Sequence, residues 1–253
     1  MIAAPFRFRY YFSKNECGQT QTRYVQRTCA EMGIKMTYEE IKQNKEILAF
    51  IKKGNDNLGA MGYTDHSEAH SALVEERAAY ILEKLGYSEK ERELVRIAGF
   101  MHDIGNAVNR SHHAEYGALL ANDILKKTDL NMEERIQIVS AIGHHDESTG
   151  GATDAISAAL IIADKTDVRR SRVRDKNKAT FDKHDRVNYA VTDTKLKINV
   201  EKRVISLNLQ IDPKICSMYE YFEIFLGRMM MCKGAAEMLG ANFRLTVNGS
   251  KVL

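Results

Sequence analysis

From Thr37 to about residue 175, apolar positions recur every three or four residues, the spacing of one buried face on an α-helix. Thr37-Tyr38-Glu39-Glu40 has the form of a capping box, and Ile41, Ile47, Leu48 and Ile51 supply the stripe that follows, ended by Gly54. Residues 54–62 then read as a loop. Asp65 is the expected N-cap of a helix to about Leu85, with Gly86 as its stop. Ser88-x-x-Glu91 predicts a capped helix through Met101, closed by Gly105. Residues 112–127 predict a helix that buries Tyr116, Leu119, Leu120, Ile124 and Leu125. Asn131-x-x-Glu134 caps the next, with Ile136, Ile138, Val139 and Ile142. Residues 153–170 predict a further, very apolar helix.

The period then shortens to two. Leu196, Ile198 and Val200, then Val204, Leu207 and Leu209, flank a turn near Glu201-Lys202-Arg203 and predict a β-hairpin. Residues 217–239 predict a long amphipathic helix, and Asn242–Val247 a last strand. The expected fold is mainly α: an all-helical body over residues 36–185 and a small C-terminal α+β subdomain (β-β-α-β) over residues 190–253. Residues 1–35, with the aromatic stretch Phe6, Phe8, Tyr10, Tyr11 and Phe12, form an N-terminal extension to which no role is assigned.

Composition narrows the class without choosing it. Of 253 residues, 44% are apolar, enough for a buried core, and the net charge of +3 does not by itself point to nucleic acid. No stretch is long and apolar enough to span a membrane, and no secretory signal is evident. Cys17, Cys29, Cys216 and Cys232 lack C-x-x-C spacing and read as reduced thiols, so a cytoplasmic location is expected.

The histidines change the picture. Seven of the eight lie between positions 66 and 145. In order they are His66 and His70, His102 beside Asp103, His112 and His113, and His144 with His145; Asp164 follows. Imidazoles and carboxylates together suit a divalent transition metal, and this many suit two ions. The predicted helix places His66 and His70 one turn apart on one face. Asp103, near a helix end, can offer one carboxylate oxygen to each of two ions.

The order H…HD…H…HH…D on successive capped helices resembles the HD superfamily of metal-dependent phosphohydrolases. The signature pieces are His70-Ser71-x-x-Val74, His102-Asp103-Ile104-Gly105, His113-x-x-x-Gly117, His144-His145 and Asp164. The resemblance selects His70 over His66 and His113 over His112. It implies one metal on His70, His102, Asp103 and Asp164, and a second on Asp103, His113, His144 and His145. The ions would be Fe, Mn, Zn, Ni or Co. The expected activity is hydrolysis of a phosphomonoester or phosphodiester, with a nucleotide as one candidate, by a metal-activated hydroxide beside Asp103. His112, His66 or a metal-bound water is expected to protonate the leaving group. The loop after His145 lacks the Gly-Tyr-Pro signature of cyclic-dinucleotide phosphodiesterases, which disfavours that substrate.

Basic residues follow Asp164. On a continuing helix Lys165, Arg169 and Arg172 share one face and would clamp phosphate, with Arg110 as a further contact. The competing reading is a solvated helix end. Aromatic interleaving is scarce, so nucleic acid is not the expected partner. Two other function classes stay open: a diiron HD-type oxygenase, and a regulatory or binding module that forms a homodimer through the edge strand of its C-terminal unit.

Overall fold

The computed structural model describes residues 37–175, 177 and 181–253. The aromatic stretch Phe6–Phe12, Cys17 and Cys29 lie outside the described residues. The helical body runs α1 Tyr38–Lys42, α2 Lys45–Ala60, α3 Glu68–Lys84, α4 Glu89–Met101, α5 His113–Leu125, α6 Met132–Gly143, α7 Ala155–Lys165 and α8 Lys183–Ala190. Short 3-10 turns occupy Ile104–Ala107 and Arg170–Arg172.

The capping boxes at Thr37, Ser88 and Asn131 all form. Three boundaries differ from the sequence reading. Asn44 opens a new helix by accepting from the backbone N–H groups of Glu46 and Ile47, so the first predicted helix is split in two. α2 then runs through Gly54 to Ala60, and no loop begins at Gly54. A Cβ at Gly54 would sit 3.1 Å from the Ala107 nitrogen, so glycine serves close packing here rather than termination. Ser67, not Asp65, precedes α3; the Asp65 carboxylate accepts from the Ser67 hydroxyl at 2.6 Å. His66 is therefore in the approach loop and not on the helix.

A fourth boundary matters most. The apolar helix predicted to reach residue 170 ends at Lys165. The Thr166 hydroxyl donates back to the Ile162 carbonyl at 2.6 Å, and the chain turns. α7 is buried on all sides from Ile156 to Ala163, as expected for a central helix. Leu119 and Ile136, expected inside, face solvent instead, and Tyr116 is exposed.

After α8 come β1 Val191–Asn199 and β2 Val204–Ile211, then α9 Met218–Met238, β3 Asn242–Val247 and β4 Ser250–Lys251. The predicted hairpin forms, with β1 antiparallel to β2. β3 joins β2 in parallel, and β4, which the sequence did not signal, pairs antiparallel with β3. One apolar core runs from Ile41 through α7 to Tyr221, Phe225 and Leu245. α9 lies between the sheet and α7, and so backs the helix that carries Asp164.

Candidate metal centre

Five helix ends meet at one point. His70 sits in the first turn of α3, and His102 and Asp103 follow the last residue of α4. His113 opens α5, His145 follows the cap of α6, and Asp164 lies in the last turn of α7. The Asp103 carboxylate stands between two pairs of imidazoles. Its Oδ2 is 3.7 Å from His70 Nε2 and 3.3 Å from His102 Nε2. Its Oδ1 is 3.6 Å from His113 Nε2 and 3.9 Å from His145 Nε2. Asp164 Oδ1 adds contacts of 3.4 Å to His70 Nε2 and 3.8 Å to His102 Nε2.

Hydrogen bonds at the far side of each ring fix its tautomer. His102 Nδ1–H donates to the Gly99 carbonyl at 2.7 Å, His113 Nδ1–H to that of Arg110 at 3.1 Å, and His145 Nδ1–H to that of Ile142 at 2.6 Å. His70 Nδ1–H donates to the Asp167 carboxylate at 2.7 Å. Carbonyls and carboxylates only accept, so in each neutral ring Nε2 carries a lone pair directed at Asp103. His70 Nε2, His102 Nε2 and Asp103 Oδ2 are buried and have no hydrogen-bond partner among the described residues. The Nε2 atoms of His113 and His145 approach to 3.2 Å. Arg110 Nη1 stands 3.4 Å from His113 Nε2, whereas the three buried atoms of the His70 side face one another without a donor, which is unfavourable. A cation among them removes that cost, so this donor set fits a metal.

The electrostatics agree. Burial opposes ionisation of Asp103, but His102 beside it outweighs that and holds the carboxyl well below its ordinary range. Asp164 behaves alike, through Lys165, His70 and His102. Burial keeps His113 and His66 neutral and, with His102 and Lys165, pushes His145 down to about 3. Burial also opposes charging of His102, yet Asp103 and Asp164 outweigh it and raise its pKa. The field that attracts a proton there would attract a metal ion.

A cavity of about 360 Å³ opens over Asp103. Its wall includes Tyr63, His66, Arg110, His112, Lys165 and Arg172. Lys165 Nζ lies 2.7 Å from Asp164 Oδ2. Arg110 donates to Asn106 Oδ1 at 3.3 Å, and its guanidinium lies 5.6 Å from the Tyr63 ring centre. His112 adopts the left-handed conformation (φ 60°), uncommon for a residue with a side chain, and faces the cavity beside Glu115.

Not every expected residue arrives. His144 is exposed, donates from Nδ1 to the Ser140 carbonyl at 2.9 Å, and is absent from the cavity wall. The expected helix face of Lys165, Arg169 and Arg172 does not form, because α7 ends at Lys165. Arg169 turns away from the cavity and grips Asp167. Arg172 reaches the wall, but its guanidinium is held by the carbonyls of Asp65 and Asp167, each at 3.0 Å.

Two carboxylates escaped the sequence reading. Asp146 lies 3.9 Å from His113 Nε2, with its pKa lowered to about 2: the Ser148 hydrogen bond and the Lys165 charge outweigh burial. Asp167 lies behind His70. Its spacing from Asp164, three residues at a helix end, was the available signal.

Residues 68–189 match the family model described as the HD domain. A protein of Methanocaldococcus jannaschii, described only as uncharacterized, is similar to this chain: 31% identical over 163 residues, covering 55% of this chain and 62% of that one. The match thus spans less than two thirds of the relative's length. The matched segment, residues 68–189, is just under half of this chain, and its similarity to the HD domain supports placing it with the metal-dependent hydrolase superfamily.

Proposed function

We propose that this HD domain hydrolyses a phosphate ester at a two-metal centre built around Asp103. The observation that carries the reading is the division of the Asp103 carboxylate, with Oδ2 toward His70 and His102 and Oδ1 toward His113 and His145. His70, His102, Asp103 and Asp164 would hold one ion; Asp103, His113 and His145 would hold the second, with Asp146 in place of the exposed His144. Bound ions supply Lewis acidity, which lowers the pKa of water from about 15.7 toward about 7 and offsets charge on phosphoryl oxygens.

The chain's own groups do the rest. Lys165 and Arg110, on the cavity wall, bind and orient the phosphoryl oxygens. Arg172 holds the His66 loop in place rather than reaching for substrate. His66 is neutral, and its one N–H is committed to the Thr64 carbonyl at 2.8 Å, so it has no proton to give. His112, at the cavity rim beside Glu115, is the group placed to protonate the leaving oxygen.

The test is a screen of metal-reconstituted protein against p-nitrophenyl phosphate, bis-p-nitrophenyl phosphate and nucleotides. Hydrolysis that disappears in Asp103→Asn is expected. An intact, two-metal protein that cleaves none of them contradicts the proposal.

A further inference from the structure

The metal-facing histidines are not backed alike. His102, His113 and His145 each donate Nδ1–H to a backbone carbonyl. His70 donates to a full negative charge, on a carboxylate with no solvent exposure at 2.7 Å. Asp167 cannot itself be a ligand, because it lies on the opposite side of the His70 ring from Asp103 and Asp164. Its oxygens are also taken. Oδ1 accepts from Arg169 Nε at 2.5 Å, Oδ2 accepts from Arg169 Nη2 at 3.2 Å, and Arg172 Nη1 stands 3.7 Å away. The turn that carries Asp167 is tied from outside as well, by Arg77 Nη1 donating to the Thr166 carbonyl at 3.0 Å.

We infer that Asp167, clamped by Arg169, is a positioning residue that makes the His70 side of the centre the tighter of the two metal sites and the first to fill. A carboxylate behind a ligating imidazole locks its tautomer and ring plane and raises the basicity of Nε2. The His70 side also has two carboxylates in front, Asp103 and Asp164. The His113/His145 side has the other half of Asp103 and, 3.9 Å from His113 Nε2, Asp146, but its imidazoles are backed only by carbonyls. Two arginines that the sequence places in a phosphate clamp thus stand behind the metal site: Arg169 through its fork on Asp167, and Arg172 by its charge. The inference rests on the metal-centre reading but not on the identity of the substrate.

The experiment is a cobalt(II) titration of metal-free protein, followed by visible absorption, with imidazole nitrogen NMR on the metal-free samples. Wild type is expected to bind the first equivalent more tightly than the second. Asp167→Asn should lose roughly 10–100-fold in affinity for the first equivalent and leave the second within about threefold. Arg169→Gln, which keeps the carboxylate and removes its fork, should lose less, on the order of threefold to tenfold. Unchanged first-equivalent affinity in a folded Asp167→Asn overturns the inference, as does a loss confined to the second. Should Asp167→Asn not fold, Arg169→Gln decides by the same criterion. Should wild type bind no cobalt, the metal-centre reading fails separately. The His70 tautomer in the metal-free protein then decides: Nδ1–H supports the positioning role, and Nε2–H overturns it.

Discussion

Gly105 lies so close to the first turn of α5 that a Cβ on it would overlap the carbonyl oxygen of His113. The glycine two residues after Asp103 is what lets the His113 helix approach the carboxylate. Gly117, on the same helix, faces Gly105 from the next turn, so the pair forms one close backbone contact. The HD turn and the H-x-x-x-G segment are therefore two sides of one packing event.

Gly105→Ala should push α5 away from Asp103. Overpacking of this kind costs about 1–3 kcal/mol. The expected result is a lower melting temperature together with loss of the second metal equivalent. A variant that melts as wild type and keeps both metals would sink this account of the turn.

His144 and His145 are adjacent but not equivalent. His145→Ala should abolish binding of the second equivalent, because a buried Nε2 facing Asp103 is removed. His144→Ala should leave metal content and hydrolysis unchanged. Metal analysis and steady-state rates on both variants separate them, and equal losses would mean that His144 swings in.

The basic residues after α7 should also divide. Lys165→Ala is expected to lower kcat/KM roughly 100-fold, as for loss of one preorganised donor to a reacting oxyanion. Arg172→Ala should act on stability, costing about 2 kcal/mol for the loss of charged hydrogen bonds to buried carbonyls. Denaturant midpoints and kinetics measured together check the split. A stable Arg172→Ala protein with a raised KM would return Arg172 to the substrate.

How much of this the chain announces depends on distance along it. Capping boxes and apolar stripes are local, so the helices bearing His102, His113 and Asp164 could be placed from sequence. The convergence of these side chains was legible as well, because six acidic and imidazole groups in that order have few other uses. Tertiary choices were not legible. Gly54 reads as a stop, yet serves packing against Ala107. The helix after Asp154 reads onward through Val168, yet the Thr166 hydroxyl ends it and turns Asp167 inward. That one turn moves Arg169 out of the cavity and creates the Asp167–His70 pair. The choice of His145 over His144 depends on the exit angle from α6, which residue type does not encode.

Asp167 should make the metal-free fold acid-sensitive. Burial opposes its ionisation, but the His70 hydrogen bond and the Arg172 charge outweigh it, so its pKa lies far below the ordinary carboxylate value. A depressed carboxylate contributes stability that is complete above the unfolded pKa of about 3.9 and is lost as pH falls below it. The gap in melting temperature between metal-free wild type and Asp167→Asn should be widest near pH 6 and narrow as pH falls below about 4. A gap that does not change with pH would contradict the assignment.

The most direct test of the metal centre is its stoichiometry. Metal content per chain would be measured on protein reconstituted with manganese, iron or zinc and then desalted, beside Asp103→Ala. Nearly two ions in wild type, with both sites emptied or greatly weakened in the variant, is the predicted result. Two ions retained without the Asp103 carboxylate, or none bound by wild type, would contradict it.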